Sequence, residues 1–232
     1  MDDIPVLAAI LTLPAAILIV GLVALLARPK EGGLPAVKIG DQWVYDAVND
    51  DGERYKATWT VTGEDAEGKE DSFIVQVSFV PPLSGPTGDI ETAQARMDKT
   101  SHLLVEMQIG GEVGGEPAMI LQQVSYEFSP VSLWPLEAGK EVAVAETTTI
   151  TSWVGSQKPE AETEAKASIY KVESVEGITV KAGTFECYRI EEYDQNGERL
   201  STKWHSDKVK TDVKTADYKT GETTELISYS VR

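Results

Sequence analysis

Cysteine and histidine are almost absent from this chain of 232 residues, which holds one Cys, Cys187, and two His, His102 and His205. A single thiol forms no intramolecular disulfide, zinc cluster or c-type haem attachment. The two histidines lie far apart in no metal-binding spacing, which excludes a histidine-rich metal site. Basic residues are also scarce: 21 Lys and Arg stand against 38 Asp and Glu, and the resulting charge of -17 repels nucleic-acid phosphate and anionic membrane surfaces. There is no nucleophile elbow (Ser156 lacks the strand-turn-helix context), no Gly-rich phosphate loop and no twelve-residue calcium loop. The acidic stretches 49–53, 64–68 and 194–198 read instead as solvated hairpin tips, because Asp, Asn and Gly suit turns on conformational grounds. No catalytic, cofactor-binding or metal-ligating residue is nominated, and no cofactor is expected.

One long apolar run is present. Residues 4–27 carry no charged side chain, and as an α-helix they would extend ~36 Å, enough for a hydrocarbon core of ~30 Å. Pro5 fits the first turn, Pro14 bends the helix, and Gly21 offers a face for close approach to another helix. A cleaved signal peptide fits less well: the start, Met1-Asp2-Asp3, is acidic, and Leu25 stands where a small residue is wanted before the cleavage point. A pilin-like spine is disfavoured by Pro29 and Gly32-Gly33. The expected organisation is a single-pass anchor over 1–28, a tether over 29–36 and a β domain over 37–232. Arg28 and Lys30 taken alone put that domain in the cytoplasm. Long acidic domains translocate largely regardless of charge, and the outside is expected.

Beyond the tether the pattern is alternation at period two. Trp43, Tyr45 and Ala47 alternate with polar or exposed positions, Gly52 supplies a turn, and Tyr55, Ala57, Trp59 and Val61 resume the alternation. Strands are expected over 72–80, 90–97, 103–109, 119–128, 141–154, 164–175, 178–180, 186–193, 200–205, 209–217 and 224–231. Two stretches rich in Gly and Pro, 81–89 and 110–117, read as long loops. Two internal echoes stand out. Gly52-Glu53-Arg54 and Gly197-Glu198-Arg199 each precede a Trp at the same spacing, and Gly40-Asp41 and Gly139-Lys140 each open a strand. Shared turn chemistry or a pseudo-repeat would both produce them.

The segment Val180-Lys181-Ala182-Gly183-Thr184-Phe185-Glu186-Cys187 resembles the V-x-A-G-T-F-x-C strand-turn-strand of extracytoplasmic β proteins of unknown function, themselves similar to periplasmic lipoprotein-carrier-like half-barrels. Trp134-Pro135-Leu136-Glu137-Ala138-Gly139-Lys140, Trp204-His205-Ser206 and Leu226-Ile227-Ser228-Tyr229 match that family's other motifs in order, so the likeness spans roughly residues 133 to 230. His205, in place of an aromatic, and 206–210, without the usual glycine, depart from it. The resemblance implies an all-β domain: a curved antiparallel sheet, half-barrel or open barrel, with a concave apolar face and no stated activity. Cys187 reads as an inert core thiol.

The function expected is that of a non-catalytic single-pass membrane protein whose extracytoplasmic β domain serves as an accessory or assembly subunit of a membrane complex. The alternatives are a tethered carrier or sensor holding a lipid on its concave face and, third, an extracytoplasmic hydrolase. Pro14 and Gly21 are the candidate contacts inside the membrane. Pro82, Gly85, Gly114, Trp134 and Trp153 are the candidate loop or rim contacts, with Trp43, Trp59 and Trp204 assigned to the core.

Overall fold

The computed structural model describes residues 37–65, 71–85, 87–99, 103–129 and 134–232. The anchor, the tether, Pro14, Gly21 and His102 lie outside the described residues. Twelve strands follow one another: β1 (Gln42–Val48), β2 (Arg54–Asp65), β3 (Ser72–Gly85), β4 (Gly88–Asp98), β5 (Leu104–Val113), β6 (Glu116–Ser129), β7 (Glu141–Val154), β8 (Glu160–Val180), β9 (Gly183–Tyr193), β10 (Arg199–Ser206), β11 (Thr211–Asp217) and β12 (Thr223–Ser230). Each pairs antiparallel with its neighbours in sequence, and β1 pairs with β12 from Gln42↔Ser230 to Val48↔Thr223. The sheet therefore closes into a barrel, which corrects the expectation of a half-barrel or open barrel. Closure depends on a ladder between the first and last strands, and neither strand carries a local sign of it.

Alternation decides what the barrel holds. Directly opposite residues share a face, so Trp43, Trp59, Val77 and Ala93 form one row across β1 to β4, and Val61, Val75, Ala95 and Met107 form another across β2 to β5. All eight are buried, Trp43 completely. The opposite faces carry Arg54, Lys56, Thr58 and Thr60 on β2, Gln94 and Arg96 on β4, and Thr147, Thr149 and Thr151 on β7, which are exposed or half-buried. An apolar inside and a polar outside is the reverse of a lipid-facing barrel. The concave apolar face offered to a lipid by the half-barrel reading is thus the packed interior. Among the described residues no helix is long and apolar enough to cross a membrane.

The interior divides into two clusters. The larger gathers side chains from β1 to β6 together with Val209, Val213, Phe185, Cys187 and Leu226. The smaller joins Leu103, Trp134, Leu136, Val142, Val144, Tyr170, Val172 and Ile190. β9 serves both, burying Phe185 and Cys187 on one face and Ile190 on the other. The ladder to β8 shifts register between Val172 and Ser174, where this change of face occurs. Residues 164–175 and 178–180, expected as two strands, are one continuous strand with 160–163 added.

Both stretches expected as long loops are largely strand. β3 runs to Gly85 and β4 starts at Gly88, while β5 runs to Val113 and β6 starts at Glu116. The glycines there permit close approach: a Cβ on Gly111 would sit 2.4 Å from the carbonyl oxygen of Thr87, and Glu112 N–H donates to that same oxygen at 3.1 Å. The two hairpin tips expected as loops are held side by side.

One of the internal echoes is a structural equivalence. Gly40 N–H donates to Val61 O and Val61 N–H to Asp41 O, while Gly139 N–H donates to Val172 O and Val172 N–H to Lys140 O, all within 2.7–2.9 Å. Both glycines hold positive φ, 91° and 85°, a backbone that residues with a Cβ rarely adopt. The chain therefore opens β1 and β7 in the same way. The other echo joins the β1–β2 turn to the β9–β10 turn: Asn49 Oδ1 accepts from Glu53 N–H and Asp194 Oδ1 from Glu198 N–H. These hairpins are out of step with the β1/β7 equivalence, so shared turn chemistry accounts for that match.

Candidate functional site

In a strictly up-and-down barrel the chain enters at the end where β1 begins, and the β1–β2, β3–β4, β5–β6, β7–β8, β9–β10 and β11–β12 turns all lie at the far end. The entering end is closed tightly. Asp41 is fully buried; its Oδ2 accepts from Lys210 Nζ and from Lys38 N–H, each at 2.9 Å, and its Oδ1 accepts from Arg232 N–H at 2.9 Å. Trp43 Nε1–H donates to Val209 O at 2.8 Å. Trp134, expected on a rim, is buried here with its ring 5.2 Å from that of His205. His205 shares a 3.1 Å hydrogen bond with buried Asp212.

The far end is polar. Tyr170, Glu192 and Ser201 form a row across β8, β9 and β10, and Lys203 lies two residues further along the same face. The Glu192 carboxylate is buried; it accepts from Lys166 Nζ at 2.6 Å and Ser201 Oγ at 2.9 Å. Burial pushes its pKa up, but the charges of Lys203 and Lys166 and these hydrogen bonds outweigh that effect and hold it below the ordinary value. Burial, together with Glu192 and Glu146, pushes the Tyr170 phenol well above its ordinary range. Lys203 Nζ stands 5.2 Å from the centre of the Tyr170 ring. Each buried charge of this group thus has a partner.

Glu222, beside the β11–β12 turn, differs. It is 4% exposed, and no well-formed hydrogen bond reaches either carboxylate oxygen, although the Thr220 side chain and the Asp50 backbone lie near enough to favour the charge slightly. Burial, Asp50 and Asp217 raise its pKa to about 7. Among the described residues no group of three or more His, Cys, Asp or Glu is placed to hold a metal ion.

The remaining feature of this end is a free strand edge. β8 pairs with β7 from Glu160↔Ser152 to Lys171↔Glu141, but with β9 only from Ile169 onward, because β9 stops at Tyr193. Among the described residues Glu160–Ala167 consequently has a partner strand on one side alone, and all its residues are exposed. Glu160, Glu162 and Glu164 lie opposite Ser152, Ile150 and Thr148, on one face of the hairpin. Lys166, the one cation of the stretch, is engaged by Glu192. A groove of about 430 Å³ marks where β9 gives out, bounded by Ala165 and Ala167, by Ala145 and Thr147 behind them, and by the Asp194–Asn196 turn.

Of the residues nominated from the sequence, Gly85, Gly114 and Trp153 fall at this far end. Gly85 closes β3, Gly114 is exposed in the β5–β6 turn, and Trp153 is half-buried opposite Met119. Pro82 is exposed within β3, and Trp134 lies at the other end. They do not converge on one site. Sequence reasoning missed the free edge; its signal was the period-two alternation of Glu and Ala in Glu160-Ala161-Glu162-Thr163-Glu164-Ala165-Lys166-Ala167. Cys187 is fully buried, and burial pushes its thiol up to about 12.

No protein-family profile and no curated protein matches the chain. Two solved structures are similar to it. One, from Bacteroides fragilis, is described as an exported protein with a YmcC-like fold; it is 10% identical, with a TM-score of 0.36, over 84% of this chain and 97% of that one. The other, from Parabacteroides distasonis, is described as a lipoprotein; it is 15% identical, with the same TM-score and coverage. Likeness at that level carries no argument about this chain, whose fold rests on its own ladders.

Proposed function

We propose that the chain is a non-catalytic, membrane-tethered protein whose barrel stands outside the cytoplasm and serves as an accessory subunit, binding other proteins of a membrane complex through its outer surface. The observation that carries this reading is the filled interior: Trp43, Trp59, Met107, Ile120, Ile190 and Leu226 are all fully buried. Binding therefore falls to the exterior, where the edge of β8 over Glu160–Ala167 is exposed and pairs only with β7 among the described residues. The apolar run 4–27 supports the tether. Since Val37 precedes β1, a tether would hold the closed end toward the bilayer and leave the polar end reaching away from it.

The test is crosslinking in native membranes, followed by mild-detergent purification of the full-length chain and identification of whatever accompanies it. A partner at fixed stoichiometry is expected. Recovery of the chain alone, with or without bound lipid, sinks the proposal.

A further inference from the structure

We infer that the free edge of β8, Glu160–Ala167, docks an extended, basic segment of a partner protein by strand addition. This rests on the accessory-subunit reading and names the chemistry of the partner.

Three observations carry it. The ladder to β9 begins only at Ile169, so among the described residues no strand meets the outward backbone N–H and C=O groups of Glu160–Ala167, although the stretch is already held extended by β7. A strand laid there adds a β-ladder without rearrangement, and main-chain hydrogen bonds supply the affinity. The charge is one-sided: Glu160, Glu162 and Glu164 repeat at the strand period on one face and make no ion pair among the described residues, whereas Lys166 is neutralised by Glu192. A partner strand with Lys or Arg at every second position sets its cations against this row. The other face presents Ala161, Thr163, Ala165 and Ala167, small side chains that do not obstruct a neighbour, and the groove beside the Asp194–Asn196 turn receives the end of the incoming segment.

The composition of the stretch points the same way. Glu, Ala and Lys favour helix over strand, and a segment held in a conformation its residues do not prefer is a local conflict of the kind that marks functional sites. Charges on an edge also deter self-association. Here that protection selects, since a second copy of the same edge brings Glu against Glu and is repelled, while a basic strand is attracted.

The test uses the full-length chain in mild detergent and a fluorescent synthetic peptide of about nine residues alternating Lys with Thr and Val. Two controls accompany it: the peptide with Glu replacing Lys, and the Lys peptide N-methylated at alternate residues, which keeps the charge but cannot complete a ladder. The Lys peptide is expected to bind, to slow amide exchange over 160–168, and to weaken at high salt. N-methylation, or the double variant Glu162→Lys/Glu164→Lys, is expected to lower its affinity by about tenfold or more, and the Glu peptide is expected not to bind. Equal binding of the N-methylated peptide overturns the inference, as does protection elsewhere than 160–168. Slow exchange of 160–168 in the unliganded chain also overturns it, because the edge would then be covered by a second copy or by another part of this chain. Should native membranes yield a fixed partner whose recovery is unaffected by Glu162→Lys/Glu164→Lys, the accessory-subunit reading stands and the edge inference fails. If the peptide binds but membranes yield no partner, the edge inference stands and the subunit reading fails.

Discussion

The two halves of the barrel, β1 to β6 and β7 to β12, begin alike and are filled differently. Each opens on a glycine bonded to a valine of the next strand, Gly40 to Val61 and Gly139 to Val172. From there the first half lines the interior with Trp43, Trp59, Val75, Val77 and Met107, whereas the second buries Glu192 and Ser201 beside half-buried Lys203, with Lys166 reaching Glu192 from the exposed edge. The pleat accepts either lining, provided that each buried charge is paired. The apolar half gains from area removed from water. In the charged half, pairing offsets the cost of taking ions out of solvent and leaves a smaller net return. The free strand edge belongs to this second half.

The sharpest contrast is at the residue after each opening glycine, Asp41 in one half and Lys140 in the other. Asp41→Ala removes the buried carboxylate opposite the Lys210 ammonium, which keeps its bond to Arg232 O, and releases Lys38 N–H and Arg232 N–H; it is expected to cost about 3–5 kcal/mol in denaturant unfolding. Lys140 is half-buried and its ammonium donates to Pro135 O, so Lys140→Ala is expected to cost under about 1 kcal/mol. Equal costs would break the comparison.

The charged half also has a pH signature of two signs. The pKa of Glu222 is raised from 4.5 to about 7, so the stability it contributes is complete below pH 4.5 and lost as pH rises through 7. Relative to Glu222→Gln, the wild type is expected to lose about 2 kcal/mol between those limits, after discounting for screening at the turn. Glu192 acts oppositely. Its folded pKa is depressed, so its contribution is present above the unfolded value of 4.5 and is lost as pH falls through the folded one. Glu192→Gln is expected to flatten the acid side of the stability profile and leave the neutral limb unchanged in slope. Melting temperatures across pH for both variants check the two signs together.

The smallest expected effect tests whether the two openings are equivalent. Val61 and Val172 are both essentially unexposed, and Val61→Ala and Val172→Ala are each expected to cost about 2 kcal/mol, equal to within about 0.5. A gap above about 1 kcal/mol would show that the packing behind the two openings differs despite the shared hydrogen bonds.

How much of this could be read in the sequence depends on the range of the interaction. The alternation of Trp43, Tyr45, Ala47 and of Tyr55, Ala57, Trp59, Val61 is local, and it placed the first hairpin and its buried face correctly. Gly52 and Gly183 take the positive φ their turns required. Trp134 is buried in a cluster with Leu103, Tyr170, Val172 and Ile190 and beside His205, residues that arrive from other parts of the chain and leave no mark on its own segment. The loops misread at 81–89 and 110–117 are Gly- and Pro-rich strand ends whose glycines serve a neighbouring hairpin, a requirement absent from either segment alone. Glu160–Thr163 extends the strand expected from residue 164, and its exposure at an edge depends on where β9 stops, which the stretch itself does not encode. Barrel closure is the most distant relationship of all, and it determined whether the concave face was a surface or an interior.

The clasp among Asp41, Lys210 and Arg232 sets an order in time. Asp41 meets Arg232 across 191 positions, and β1 cannot find β12 until almost the entire chain is available. While the chain is being made, Gln42–Val48 has β2 on one side and nothing on the other, so the nascent sheet carries an unprotected border with Trp43 and Tyr45 behind it. Contacts this far apart slow folding and lengthen exposure to misassembly. The barrel should accordingly fold late and all at once, and truncating its last strand should produce aggregates, not an eleven-stranded remnant.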